Sequence, residues 1–262
     1  RENGAGLFGD LGPFSYRAYV LAGFDSAGFT AADALRGGRQ SGAQSKAEDL
    51  ALALRLDYTG APGLLVGGFF YRGGADQGRE SPAGPFIDPN GAAVTPPTRP
   101  FSADVTLFDL HAEYRARGAE FRALYAGGSL DGAREVNDAN GVDGTRSVGE
   151  RFRGWYAQAG YDVMALRRAA SGIAVIPFVR YERLETQERV PGEAPLDRDA
   201  RSGPGLDPVP FAADPANDVR IWTYGVAYKP ILNVSVKLDY QDFKNEAGTG
   251  VDQLNLAVTF LF

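Results

Sequence analysis

Apolar and polar residues alternate with a period of two along most of this chain. The clearest stretch is Leu232-Asn233-Val234-Ser235-Val236-Lys237-Leu238-Asp239-Tyr240, where every even position is apolar and every odd one polar. Leu50, Leu52, Leu54, Leu56 and Tyr58 repeat the pattern against Ala51, Ala53, Arg55 and Asp57, and Leu254, Leu256, Val258, Phe260 and Phe262 against Gln253, Asn255 and Thr259. Such alternation predicts strands with one apolar and one wet face. It places ten strands at 14–24, 48–58, 63–72, 104–115, 119–128, 153–163, 172–184, 218–228, 231–241 and 252–262. Most run to about ten or eleven residues, the length of tilted strands that cross a bilayer core, against roughly five or six in soluble sheets.

The connections alternate between long (25–47, 73–103, 129–152, 185–217) and short (59–62, 116–118, 229–230), with intermediate ones at 164–171 and 242–251. Long loops on one side and tight turns on the other are the pattern of outer-membrane barrels. The long loops carry Gly, Pro and Asp clusters such as Ser81-Pro82-Ala83-Gly84-Pro85, so the reading expects them to be non-helical. On the apolar faces, strands running toward the turns end in Tyr58, Tyr114, Tyr161, Tyr228 and Phe262. Those running toward the loops reach Phe24, Tyr71, Tyr181 and Tyr240, so two aromatic belts at two interfaces are expected. Pro177 interrupts the seventh strand and predicts a bulge there or a shifted boundary.

Composition narrows the function classes. The 262 residues include 27 Lys plus Arg, 33 Asp plus Glu, one His and no Cys, for a formal charge of −6. An acidic chain is a poor nucleic-acid binder. The lack of Cys removes thiolate metal and redox chemistry, and a single His argues against a histidine metal centre or a Ser-His-Asp triad. No cofactor is expected. No run approaches the roughly 18 apolar residues of a membrane helix. The chain opens on Arg1-Glu2-Asn3 without Met or an apolar leader and is read as processed or truncated at its start.

On the wet faces lie Arg17, Arg55, Asp57, Arg72, Asp109, His111, Glu113, Arg115, Glu120, Arg122, Asp162, Arg180, Glu182, Lys237 and Asp239, which are expected to line a pore. Opposite charges recur two residues apart, as in Arg55/Asp57, Arg180/Glu182 and Lys237/Asp239. Such pairs either set a transverse field across a constriction or brace the wall. Asp109, His111 and Glu113 form a carboxylate–imidazole–carboxylate row, for which a polar wall strand is the stronger reading over a metal or acid–base site. Asp131, Glu135, Asp138 and Asp143 are read as solvated loop residues. Ser102 and Ser129 have no base placed near them, so the chain is not read as an enzyme.

The terminal Gln253-Leu254-Asn255-Leu256-Ala257-Val258-Thr259-Phe260-Leu261-Phe262 resembles the C-terminal signal of Gram-negative outer-membrane barrels, with Leu256, Val258, Phe260 and Phe262 at the positions recognised by the barrel-assembly machinery. Gly9-Asp10-Leu11-Gly12-Pro13-Phe14-Ser15-Tyr16, Gly37-Gly38-Arg39-Gln40, Asp57-Tyr58-Thr59-Gly60-Ala61-Pro62-Gly63 and Gly154-Trp155-Tyr156-Ala157-Gln158 resemble the later part of the phosphate-selective porin superfamily. The resemblance implies an antiparallel transmembrane β-barrel of about sixteen strands, of which the N-terminal ones would lie outside this chain. It also implies outer-membrane lipid around the barrel and, as in many such porins, a homotrimer. The superfamily's phosphate site is not carried over, because no matching arginine cluster is present. The expected function is passive diffusion of small hydrophilic solutes; the alternative is an outer-membrane anchor or surface-interaction barrel with a plugged lumen.

Overall fold

The computed structural model describes residues 2–42, 45–84, 86, 88, 90, 92, 94–167, 172–193, 209–231 and 233–260. Eleven strands form one antiparallel sheet: β1 (Gly4–Leu11), β2 (Phe14–Ala22), β3 (Leu50–Tyr58), β4 (Leu64–Gly74), β7 (Asp104–Ala116), β8 (Ala119–Asp131), β9 (Arg151–Tyr161), β10 (Ala174–Arg189), β11 (Asp218–Ile231), β12 (Val234–Asn245) and β13 (Gln253–Phe260). Each pairs with its neighbour in chain order, from β1 at one edge to β13 at the other. Between β4 and β7, β5 (Glu80–Pro82) and β6 (Thr98–Pro100) make a separate two-stranded hairpin.

All ten expected strands are present, and β1 is an additional one. Its sequence, Gly-Ala-Gly-Leu-Phe-Gly-Asp-Leu, has two bulky residues side by side and three glycines, so it carries no legible alternation. It is held by full pairing with β2, from Gly4 opposite Leu21 to Leu11 opposite Phe14. Pro177 causes no bulge. It faces Val226 on β11, while pairing with β9 begins one residue later at Phe178, so β9 makes no demand on the missing N–H. The irregularity in β10 instead falls between Glu185 and Arg189.

Turn and loop ends segregate as the loop lengths require. Connections at 12–13, 59–63, 117–118, 162–173 and 232–233 lie at one end of the sheet, and 23–49, 75–103, 132–150, 190–217 and 246–252 at the other. One long loop is helical, contrary to expectation: α1 spans Ala133–Asn140. Its Ala-Arg-Glu-Val core contains good helix formers, and Gly141 ends it at φ 68°, donating its N–H to Asn137 and Asp138 carbonyls.

The outer surface is the apolar one. Leu50, Leu52, Leu54 and Leu56 of β3 are exposed, whereas Ala51, Ala53 and Asp57 are buried on the opposite face. Leu110, Phe121, Tyr224, Leu238 and Val258 continue the outward apolar wall across the sheet. A soluble sheet would hide such residues; here they cover the convex side, as lipid requires. The aromatic belt at the turn end stands, with Phe14 against Tyr58 (5.2 Å between ring centroids) and Tyr114 against Phe121 (6.5 Å). Tyr161 and Tyr228 are also exposed there; Phe262 lies outside the described residues.

The second belt sits at mid-strand rather than at the loop ends: Tyr181 packs outward between Trp155 and Trp222, and Tyr240 lies on the same face. Phe24 and Tyr71 do not join this belt. Their rings meet at a tilt, 5.1 Å between centroids, inside a concave-side cluster with Phe29, Leu35, Val105, Leu130, Val136 and Val148.

A charged concave face beneath an inward-folded loop

The concave face changes character along each strand. On β7 it begins at the loop end with Val105 and Leu107, then turns to Asp109, His111, Glu113 and Arg115. The apolar half packs against loop residues, and the charged half lies toward the turns.

Most of the charged residues expected on a wet face share this side. Arg17 on β2 lies opposite Arg55 on β3, and Asp57 opposite Ser15. Arg55 Nε donates to Asp57 Oδ2 at 2.7 Å, Arg180 to Glu182 at 2.6 Å, and Lys237 Nζ to Asp239 at 3.0 Å, so all three two-residue spacings close as ion pairs. Glu113 lies 3.3 Å from Arg115 and 3.8 Å from Arg122, and Glu120 lies 4.0 Å from Lys229. Asn255 adds a hydrogen bond to buried Asp239.

The tightest grouping joins β3 and β7 across β4. His111 Nδ1 meets Asp109 Oδ1 at 2.7 Å, and its Nε2 meets Asp57 Oδ1 at 2.8 Å with Arg55 Nη2 at 3.0 Å. Gly67 of β4 lies between Asp57 and His111 in the ladder, and its lack of a side chain lets the imidazole reach across to β3. The Asp109/His111/Glu113 row is therefore divided. Asp109 and His111 belong to the Arg55–Asp57 network, while Glu113 serves the two arginines.

Two expected wall residues stand elsewhere. Arg72 lies opposite Leu52 and Thr106 on the convex face and is exposed there. The adjacent bulky residues Phe69-Phe70-Tyr71, preceded by Gly67-Gly68, erase the alternation that would have set the register; hydrogen bonding to β3 and β7 puts Phe69 and Tyr71 inward instead. Asp162 lies at the turn end, where its carboxylate accepts the Met164 and Val175 N–H groups and staples the turn.

Sequence reasoning missed the element that covers this face. The 23–49 connection crosses the concave side from β3 to β10, where Thr186 Oγ1 donates to the Ala31 carbonyl at 2.6 Å. Ser26 anchors the loop base, accepting from Arg79 Nη1 through its Oγ and from Asn140 Nδ2 through its carbonyl. Between the loop tip and the wall is a cavity of about 590 Å³, lined by Asp33 and Arg36 from the loop and by Leu107, Asp109, Leu124, Tyr156, Glu182 and Leu184 from the sheet. Arg180 lies 3.9 Å over the Tyr156 ring. Nothing in residues 23–49 beyond their length signals an inward fold, because contacts with β10 are more than 150 residues away in sequence.

A convex apolar wall, aromatic rims, a charged concave face and loops sorted from turns together define a bacterial outer-membrane β-barrel protein. Among the described residues no helix is long and apolar enough to cross a membrane.

No family model matches the chain. An uncharacterized protein of Aquifex aeolicus strain VF5 is 26% identical over 270 residues, covering all of this chain and 53% of that protein. The chain thus spans about half the length of that curated relative. Among solved structures, a porin refined at 1.8 Å aligns with 97% of this chain and 60% of its own, at a TM-score of 0.47 and 15% identity. OmpT, an outer membrane protein of Vibrio cholerae, aligns with 97% of this chain and 62% of its own, at 0.46 and 12%. For OccK10 of Pseudomonas aeruginosa the values are 99% and 72%, at 0.37 and 13%.

Proposed function

We propose that the chain forms part of the wall of a water-filled outer-membrane channel for passive diffusion of small hydrophilic solutes. The observation that carries this reading is the 23–49 loop, which lies across the charged concave face and leaves a cavity between Asp33, Arg36 and the wall. A loop held in the lumen narrows the path, and fixed charges on both sides of it filter solutes by size and charge. In this reading Arg17, Arg55, Asp57, Asp109, His111, Glu113, Glu120, Arg122, Arg180, Glu182, Lys237 and Asp239 line the conducting path. The Arg55–Asp57–His111–Asp109 network braces the wall, and no residue is given a catalytic role. The likeness to the phosphate-selective porin superfamily, and a homotrimer, belong to the same proposal.

The apolar packing of Phe29, Leu35, Val136 and Val148 at the loop end favours a second reading, in which the lumen is plugged and the barrel serves as an anchor. Planar-bilayer recordings of the full-length protein separate the two. A channel gives stable single-channel steps, and R122E/R180E shifts its reversal potential in a salt gradient toward cations. Absence of steps supports the plugged anchor, and steps with an unchanged reversal potential remove these arginines from the conducting path.

A further inference from the structure

Arg72 is out of place as a pore residue, and its actual position has a chemical use. It begins a cross-strand row on the convex face: Arg72 of β4 is opposite Thr106 of β7, Thr106 opposite Ser129 of β8, and Ser129 opposite Arg151 of β9. Both arginines are exposed, and among the described residues neither has an ion-pair partner. The two are three strand spacings apart, about 14 Å, with two hydroxyl-bearing side chains between them. A groove of about 380 Å³ opens beside Arg151, lined by Thr106, Ser129, Arg151, Arg153 and Glu188 and floored by the Phe108–Tyr125 aromatic pair, with Arg72 outside it along the row.

An outward arginine is costly at the bilayer midplane and is tolerated near the interface. The row lies near the loop ends of its strands, directly on the loop side of the aromatic residues, which is where headgroups begin. The charged neighbours leave the two arginines uncompensated. Arg153 is committed to Glu185 (3.1 Å) and Glu188 (2.8 Å). Asp104 and Asp131 face each other one pleat nearer the loops and bound the row on its aqueous side.

We propose that Arg72 and Arg151, with the Thr106 and Ser129 hydroxyls, bind the phosphate groups of an anionic lipid in the loop-side leaflet. Two guanidinium groups flanking two hydroxyls supply charge-assisted donors suited to phosphate oxygens, while the aromatic floor meets the first acyl segment. The site faces lipid and is separate from the proposed solute path.

The test uses the full-length protein in detergent, titrated with bis-phosphorylated lipid A, with phosphatidylcholine, and with inorganic phosphate alone, and read by native mass spectrometry. Wild type is expected to retain lipid A in preference to phosphatidylcholine. R72Q/R151Q should weaken that retention tenfold or more, and R72K/R151K should keep most of it. R220Q, which removes an outward arginine already paired with Glu246, should leave it unchanged. Far-UV circular dichroism and heat-modifiable gel migration verify that each variant is folded. Equal retention by R72Q/R151Q overturns the proposal, as does equal binding of phosphatidylcholine. Tight binding of inorganic phosphate alone that R72Q/R151Q abolishes would replace the lipid with a free-anion site.

Discussion

Gly67 occupies the one place in β4 where a side chain and the His111 network compete for the same space. A β-carbon there would lie 2.2 Å from Asp57 Oδ1, 2.6 Å from His111 Nε2 and 2.8 Å from the Leu56 carbonyl. Gly67→Ala must therefore push Asp57 and His111 apart and break their 2.8 Å contact. Both side chains are mostly buried, at 11% and 12% exposure, so water replaces the lost partner poorly. Losing a hydrogen bond to a charged group costs about 1.5–3 kcal/mol. Relief of glycine's conformational penalty within a strand returns about 0.5–1 kcal/mol. The expected net loss is about 1–2 kcal/mol, measured by reversible urea unfolding from lipid vesicles. The decisive comparison is a double-mutant cycle: in a D57A/H111A background only the Leu56 carbonyl remains in the way, so the penalty of G67A should fall by about 1.5 kcal/mol or more. A penalty of equal size in both backgrounds would assign the cost to the backbone and refute the crossing bridge. A neutral G67A in the wild-type background would refute it more directly.

Thr186→Val removes the hydroxyl that holds the Ala31 carbonyl while preserving shape, at a cost of about 1 kcal/mol to loop seating. Single-channel traces should then show more frequent substates, and a trace indistinguishable from wild type would mean that the loop does not depend on this bond. The carboxylate of Asp252 is held below the ordinary carboxylate range, first by the Tyr240 hydroxyl (2.6 Å) and then by the Phe243 N–H (3.1 Å). A depressed folded-state value means that the stabilisation is complete above the usual carboxylate value of about 4 and is lost as pH falls through the lower folded value. Hydrogen exchange at the Phe243 amide, corrected for intrinsic rates, should accelerate on acidification in that window. D252N, whose amide oxygen still accepts the Phe243 N–H but does not titrate, should show no pH dependence, and a wild-type amide with no pH dependence would sink the linkage.

How much of this was legible follows from what each residue pattern can encode. Period-two alternation fixes faces wherever large apolar and charged residues take turns, and β3 and β12 are such strands: Arg55, Asp57, Lys237 and Asp239 fall on the concave side as the pattern requires. It fails where one face is packed with apolar groups and the other meets lipid, because both then read as hydrophobic. The loop-end half of the concave face is of that kind, with Tyr71 buried and Phe24, at the start of the inward-folded connection, packed against it, so two aromatics were expected outside that lie inside. Helix α1 and the Thr186–Ala31 contact depend on partners distant in the chain, which local spacing cannot report.

The corrected register of β4 makes a discriminating prediction, which the absence of Cys from the chain makes clean to test. With Arg72 outward, Phe69 faces the cavity near Arg55 and Asp109, and Phe70 faces lipid between Leu54 and Phe108. Single-cysteine F69C should react with a small charged thiol reagent added to the folded protein in vesicles, whereas F70C should react only with a membrane-soluble maleimide. A shift of one residue exchanges the faces of a strand entirely, so intermediate behaviour is not expected. The reverse labelling pattern would turn Arg72 back into the lumen and remove the cationic row from the lipid face.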